Sequence, residues 1–124
     1  MSDSREFEER FRRELPHLAE EDVCALARIL ERLIDAYQPE RIYLFGSKAR
    51  GDAGPDSDFD LLVVVSDTAP ADRQRSRLAY EVLRGTGIAA DVLVSTRGAF
   101  DSRLHLAASL PATVMREGRL LHAA

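Results

Sequence analysis

The run FDLLVVV at residues 59–65 constrains the fold more than any other part of the sequence. It is apolar on both faces of an extended chain, which is typical of a strand whose sheet is covered on both sides. Asp58 and Asp60 stand at its start, and side chains two positions apart on a strand project from the same face. Such like charges repel unless a cation lies between them. The sequence therefore predicts a central strand that begins with a pair of carboxylates.

Apolar periodicity predicts helices and further strands around this run. A first helix over about residues 7–18 is bent or ended by Pro16, and a stronger one covers residues 20–37. Strands are predicted at 41–45 and 88–95, helices at 71–84 and 99–110, and a short helix with a brief final strand within 111–122. This order predicts a small α/β or α+β sheet covered by helices.

Composition narrows the class of protein. The chain has 124 residues, of which 45% are hydrophobic, so we expect a single domain over residues 1–124. The net charge of −4 provides no overall field that favours nucleic acid, and the longest apolar run is far shorter than the ~20 residues that span a membrane. The N-terminus is charged, unlike a signal peptide, and the single Cys24 fits a reducing compartment. We therefore expect a cytoplasmic protein.

Asp91 is a third carboxylate in a predicted strand, and its near neighbours in IAADVLVS are all apolar. A lone carboxylate is costly to bury there. If the second and third strands are neighbours, Asp91 lies beside Asp58 and Asp60, and the three supply the oxygen ligands that Mg²⁺ prefers. Two alternatives remain: Asp58 caps a turn in GPDSD, or the third strand begins only at Val92.

The turn FGSKARG, residues 45–51, is the second candidate site. Gly46 and Gly51 have P-loop spacing, but an Asp-Ala pair occupies the positions where that motif requires Lys-Ser/Thr. What remains is a strand, a Gly-Ser pair and one turn of helix that carries Lys48 and Arg50. Its backbone N–H groups, the Ser47 hydroxyl and the two cations suit phosphate oxygens. Gly46 is predicted to need a positive φ or a close backbone approach.

These motifs together resemble a known signature. Gly46-Ser47, Ala49-Arg50-Gly51 and the segment SDFDLLV at 57–63 resemble the DNA polymerase β-type nucleotidyltransferase superfamily. The length, the leading helices and the closing REGRLLH resemble its minimal nucleotidyltransferase (MNT) branch. The resemblance implies a mixed sheet flanked by helices. It also implies an antitoxin paired with a HEPN-domain ribonuclease toxin, and some such antitoxins transfer AMP from ATP to a toxin tyrosine.

The resemblance also implies a role for each motif residue. Asp58 and Asp60 would bind two Mg²⁺ ions, and Asp91 would hold the catalytic ion and help to activate the acceptor hydroxyl. Gly46 and Ser47 would contact the triphosphate. Lys48 stands where arginine is common in the motif, so it keeps the charge but lacks the guanidinium fork.

We therefore predict Mg²⁺-dependent transfer of AMP from ATP to a tyrosine hydroxyl of a partner HEPN toxin. The residues do not identify the base, and the choice of ATP comes from the resemblance. The short chain leaves no segment for a closed acceptor pocket, so we expect the acceptor to arrive on a separate protein. Two alternatives stay open: a module that neutralises its partner by covering it, and a nucleotidyltransferase of the antibiotic-modifying kind.

Overall fold

The structure, a computed structural model, describes residues 4–54 and 57–124. These residues form four strands and six α-helices, with one 3₁₀ turn at Ala71–Gln74. The helices are α1 (Ser4–Glu14), α2 (Glu20–Tyr37), α3 (Ser47–Arg50), α4 (Arg77–Leu83), α5 (Arg97–Ser102) and α6 (Leu110–Glu117). The strands are β1 (Arg41–Phe45), β2 (Phe59–Val65), β3 (Ala90–Thr96) and β4 (Arg119–Ala123).

The strands form one mixed sheet in the order β3-β2-β1-β4. Strand β2 runs antiparallel to β1 and parallel to β3, and β1 also pairs with β4 in antiparallel orientation. The prediction that β2 is central is confirmed, as is the expected neighbourhood of the second and third strands. A parallel pair needs a crossover connection, which here contains the 3₁₀ turn and α4.

Helices cover both faces of the sheet, which explains why β2 is apolar on both. The core on one face joins side chains of α1, α2 and α4 to alternate strand residues such as Ile42, Leu61 and Val63. On the other face, α5 and α6 contribute to a smaller cluster of Tyr43, Leu62, Val64, Phe100 and Val114. Asp60 projects from this second face, because it alternates with Leu61 and shares a side with Leu62.

The predicted helix over 71–84 is wrong in its first half. The chain forms a 3₁₀ turn and then an extended residue, Arg75, before α4 begins at Arg77. Tyr37 explains the break, because its hydroxyl donates to the Arg75 carbonyl at 2.5 Å and accepts from the Ala79 amide at 2.9 Å. A continuous helix would bond these backbone groups internally.

The predicted helix over 99–110 is also wrong. Helix α5 begins earlier, at Arg97, where the Thr96 hydroxyl accepts from the Ala99 amide, and it ends at Ser102. Residues 103–109 form turns, and Ser109 caps the start of α6 by accepting from the Ala112 amide. No helix in the described part of the chain is long and apolar enough to cross a membrane.

Candidate active site

Two of the three predicted carboxylates lie side by side on the sheet. Asp60 is the second residue of β2 and Asp91 the second residue of β3, and the two are paired in the parallel register. Paired positions on adjacent strands project from the same face. The alternative in which the third strand begins only at Val92 is wrong, because β3 begins at Ala90 and Asp91 is inside the strand. The alternative in which Asp58 caps the GPDSD turn involves Pro55 and Asp56, which lie outside the described residues. The turn before β2 is closed by Ser57, whose hydroxyl accepts from the Gly54 amide at 3.0 Å.

The third carboxylate, Asp58, is exposed immediately before β2, and its charge acts on Asp60. Partial burial raises the pKa of the Asp60 carboxyl above its usual range, and the negative charges of Asp91 and Asp58 raise that pKa further. The guanidinium group of Arg50 opposes the shift. The structure therefore brings three carboxylates and one cation into electrostatic range of one another. The remaining residues of the GPDSD loop, Pro55 and Asp56, lie outside the described residues.

The glycine–serine turn packs directly against Asp60. Gly46 has φ +75° and ψ −159°, and a Cβ atom built on it would lie 2.3 Å from Asp60 Oδ2. Both features expected of this glycine, a positive φ and a close approach, are thus present. Helix α3 follows at once as a single turn, in which the Gly46 carbonyl accepts from the amides of Ala49 and Arg50, each at 3.1 Å. The turn and the carboxylates form one continuous surface.

The polar side chains of the turn point in different directions. Ser47 is half-buried at the first position of α3. Arg50 is exposed, with Nε 3.1 Å from Asp52 Oδ2, and remains close enough to lower the pKa of Asp60. Lys48 has a different partner from the predicted phosphate: its Nζ lies 2.9 Å from Asp22 Oδ2, and its side chain is only 7% exposed.

Two residues of the site were not found from the sequence. Asp22 is one of three acids in the first turn of α2, a common feature of helices, and His17 stands alone in the sequence between α1 and α2. In the structure, His17 Nε2 lies 2.6 Å from the carbonyl oxygen of Lys48. Both residues also line a cavity of about 260 Å³ that includes Lys48 and Gly51. Neither role carries a local sequence signal, because each depends on the packing of α3 against a remote part of the chain, α2 for Asp22 and the connection before α2 for His17.

The predicted Mg²⁺ cluster requires several carboxylate oxygens close to one another. Over residues 4–54 and 57–124, no three His, Cys, Asp or Glu side chains are gathered closely enough to hold a metal ion as they stand. Bare carboxylates repel, so a cation would have to draw Asp58, Asp60 and Asp91 together. Carboxylate oxygens are suitable ligands for Mg²⁺, and mutual repulsion of negative groups is what a bound cation relieves. The residues fit the ion, and metal binding stays a prediction.

Comparison with protein families identifies the fold. The model of the nucleotidyltransferase domain family matches residues 26–121, which include the turn and all three carboxylates. The chain belongs to the nucleotidyltransferase domain family. This assignment supports nucleotidyltransferase activity, and the resemblance found in the sequence is confirmed at this level. No curated protein matches the chain in sequence.

Two solved structures share the nucleotidyltransferase fold. One is a toxin–antitoxin crystal structure with AMP-PNP, at 24% identity and a TM-score of 0.52, covering 78% of this chain and 73% of that chain. The other is a mutant of the toxin–antitoxin MntA-HpeT, at 21% identity and a TM-score of 0.52, covering 78% of this chain and 72% of that one. At these identities the similarity concerns the fold, and it confirms the predicted mixed sheet flanked by helices.

Proposed function

We propose that this chain is a single nucleotidyltransferase domain that transfers AMP from ATP to a tyrosine hydroxyl of a HEPN-type toxin and thereby acts as an antitoxin. One observation carries the proposal: the Gly46 backbone approaches Asp60 so closely that no side chain fits between them, while Asp91 lies beside Asp60. A phosphate-binding turn and a set of metal-binding carboxylates are the two halves of a nucleotidyl-transfer site. Contact between them would bring the triphosphate to the carboxylates.

The chain's own residues provide binding and proton transfer. The Ser47 hydroxyl and the first amides of α3 would donate to phosphate oxygens, and Arg50 would offset their charge. The acceptor oxygen forms a bond to the α-phosphorus, and the bond from that phosphorus to the bridging oxygen breaks, so that pyrophosphate leaves with the electron pair. The hydroxyl proton passes to the Asp91 carboxylate, which is exposed and therefore accessible to an incoming acceptor.

Asp58, Asp60 and Asp91 would hold the Mg²⁺ ions, two in number by the predicted mechanism. Bound Mg²⁺ supplies positive charge that stabilises the attacking and leaving oxygens of an in-line displacement. The raised pKa of Asp60 supports this assignment, because a cation between the three carboxylates would remove the repulsion that contributes to the shift.

Exposure of the site supports an acceptor that arrives on another protein. Asp58 and Asp91 are exposed, and Leu93, the next residue of β3 on the same face, is 39% exposed although it pairs with a buried residue of β2. An accessible apolar side chain beside the carboxylates is suited to contact with a protein. The two solved toxin–antitoxin structures of similar fold agree with such a partner, and the AMP-PNP in one agrees with an adenine nucleotide.

The tyrosines of the chain need a direct control. Tyr37 and Tyr43 are buried, as expected for residues within a helix and a strand, but Tyr80 is 55% exposed on α4. Its place in a helix therefore does not exclude it as an acceptor. A Tyr80→Phe variant tests whether any label on this chain is self-modification.

The experiment is incubation of the chain with ATP labelled at the α-phosphate, Mg²⁺ and a HEPN-type protein encoded next to it. The partner should gain the mass of an AMP group on tyrosine, and its ribonuclease activity should fall. The double variant Asp58→Ala/Asp60→Ala should still bind the partner but leave it unmodified, because transfer needs the carboxylates and surface contact does not. If that variant neutralises the partner as fully as the wild type does, the covering mechanism replaces the proposal.

A further inference from the structure

Lys48 lies in the middle of α3, and its ammonium group is withdrawn from solvent. Its Nζ is 2.9 Å from Asp22 Oδ2 and 4.8 Å from the centroid of the Phe59 ring. A cation within about 6 Å of an aromatic face is attracted to it, more strongly when it is desolvated. The ion pair and the ring contact therefore fix the end of the lysine side chain.

The ring contact places the ammonium group relative to the sheet. Phe59 lies between Asp58 and Asp60, and its side chain belongs to the core formed with α1 and α2, whereas Asp60 projects from the opposite face of β2. The Lys48 ammonium is thus on the far side of β2 from the carboxylates. A triphosphate bound at those carboxylates would not meet it.

The backbone of Lys48 is held as well. His17, in the connection between α1 and α2, lies with Nε2 2.6 Å from the Lys48 carbonyl oxygen, and a Cβ atom built on Gly51 would lie 3.6 Å from its ring. Helix α3 has only four residues and too few internal hydrogen bonds to be stable alone. Its position against Asp60 must therefore come from contacts such as these.

We propose that Lys48 is a positioning residue, which holds the α3 turn against the carboxylates through Asp22 and Phe59 and does not contact the nucleotide through its ammonium group. The proposal rests on the proposed nucleotidyl transfer, for which this turn would bind the triphosphate. Asp22, twenty-six residues away in sequence, is then a second positioning residue, because it binds the Lys48 ammonium group.

The first test uses the free protein and needs no nucleotide. The amides of residues 49–52 donate to the carbonyls of Gly46 and Ser47, so their hydrogen exchange reports how firmly the turn is held. Asp22→Asn and Lys48→Met should each speed this exchange about 10-fold relative to the β2 amides, the size expected for loss of one charge-assisted hydrogen bond. Unchanged exchange at residues 49–52 in both variants overturns the proposal.

A matched control lies in the same helix. Glu20, two residues before Asp22, pairs with Arg12 of α1, so Glu20→Gln also removes an acid of the first turn of α2 and breaks an ion pair. Its carboxylate binds Arg12 of α1 instead of Lys48, so exchange at residues 49–52 should stay at the wild-type rate. Acceleration by Glu20→Gln equal to that by Asp22→Asn would assign the effect to α2 and overturn the role of Lys48.

The second test measures binding of α,β-methylene-ATP with Mg²⁺ by calorimetry. If Lys48 binds phosphate directly, Asp22→Asn removes a competing carboxylate and should leave affinity unchanged or raise it. If Lys48 positions the turn, Asp22→Asn and Lys48→Met should both lower affinity, again about 10-fold. The double variant Asp22→Asn/Lys48→Met, which leaves no unpaired charge in the core, should be no weaker than the weaker single variant.

The two tests separate the two proposals. If the wild-type protein does not bind the analogue, the proposed nucleotidyl transfer is contradicted. The exchange rates of the free protein still decide the role of Lys48. Wild-type protein that binds it, together with an Asp22→Asn variant that binds it as well or better, overturns the positioning role alone. Thermal denaturation of each variant shows that the measurements refer to folded protein.

Discussion

Replacing Gly46 by alanine should reduce both stability and activity, and the structure assigns the two losses to different causes. The backbone of Gly46, at φ +75° and ψ −159°, lies in a region that is essentially restricted to glycine. A residue held there costs on the order of 1–3 kcal/mol of unfolding free energy. For a chain of this length each kcal/mol lowers Tm by about 3–5 °C.

The loss of activity comes from the carboxylate next to the new side chain. The alanine Cβ would lie 2.3 Å from Asp60 Oδ2, where ordinary contact begins at 3.4 Å, so the carboxylate or the turn must retreat. A displacement of about 1 Å in a catalytic site can lower the rate roughly 100-fold. We therefore expect Gly46→Ala to lower the rate of AMP transfer by about that factor at temperatures where the variant is fully folded.

Gly87→Ala is the matched control. Gly87 also has a positive φ, +72°, but a Cβ atom built there has no neighbour within 4 Å. The substitution should lower Tm because of backbone strain and leave the transfer rate close to that of the wild type. Thermal denaturation and initial rates with α-labelled ATP, measured on both variants, separate strain from displacement.

A double-mutant cycle with Asp60→Ala tests whether a clash with the Asp60 side chain contributes to the loss of stability. This change removes the two closest atoms and leaves Asp60 Cβ at 3.3 Å from the alanine Cβ at position 46. The stability lost through Gly46→Ala should therefore be smaller in the Asp60→Ala background than in the wild type. Equal losses in the two backgrounds would refute the clash as a cause.

Other predictions concern the site's charges and donors. Because the folded state raises the pKa of Asp60, its ionised form destabilises the metal-free protein above that pKa, and the effect is absent below the usual aspartate pKa. Asp60→Asn should therefore raise stability in EDTA at pH 7 by a few tenths to about 1 kcal/mol, and the gain should vanish at low pH; a lower Tm at pH 7 contradicts this. Ser47→Ala should weaken binding of an ATP analogue by about 1.5–3 kcal/mol without changing Tm, and equal affinity would remove this hydroxyl from the site. Asp91→Asn should abolish AMP transfer and keep the wild-type circular dichroism spectrum; residual transfer above one-tenth would contradict its role as proton acceptor. Chelation of Mg²⁺ should stop transfer, and added Mg²⁺ should restore it.

Local patterns were sufficient to predict much of the fold. The bounds of α2, β1 and β2 follow from apolar periodicity and from short apolar runs, and all three match the structure. The helices at 71–84 and 99–110 were wrong because their ends depend on remote groups. The Tyr37 hydroxyl interrupts the first, and the turns that lead to the Ser109 cap end the second.

The candidate site also has parts that the sequence predicts and a part that it does not. The nearness of Asp60 and Asp91 could be predicted, because each stands near the start of a strand and the two strands were expected to be neighbours. Gly46 lies beside them because β1 pairs with β2 in antiparallel register, with Phe45 opposite Asp60. The partner of Lys48 could not be predicted. Its sequence neighbours favour a phosphate ligand, while the carboxylate that binds it belongs to α2, where it resembles any acid of a first helical turn.

The parallel register between β2 and β3 also decides where this chain tolerates a change of length. One residue added to or removed from β3 ahead of Asp91 would turn its carboxylate to the opposite face of the sheet, because side chains alternate along a strand. Residues added to the crossover in the turn after α4 would leave all seven paired positions in place. The exposed turn at residues 84–87 is thus a suitable position for inserting a peptide tag, and even a single inserted residue at the start of β3 should inactivate the protein.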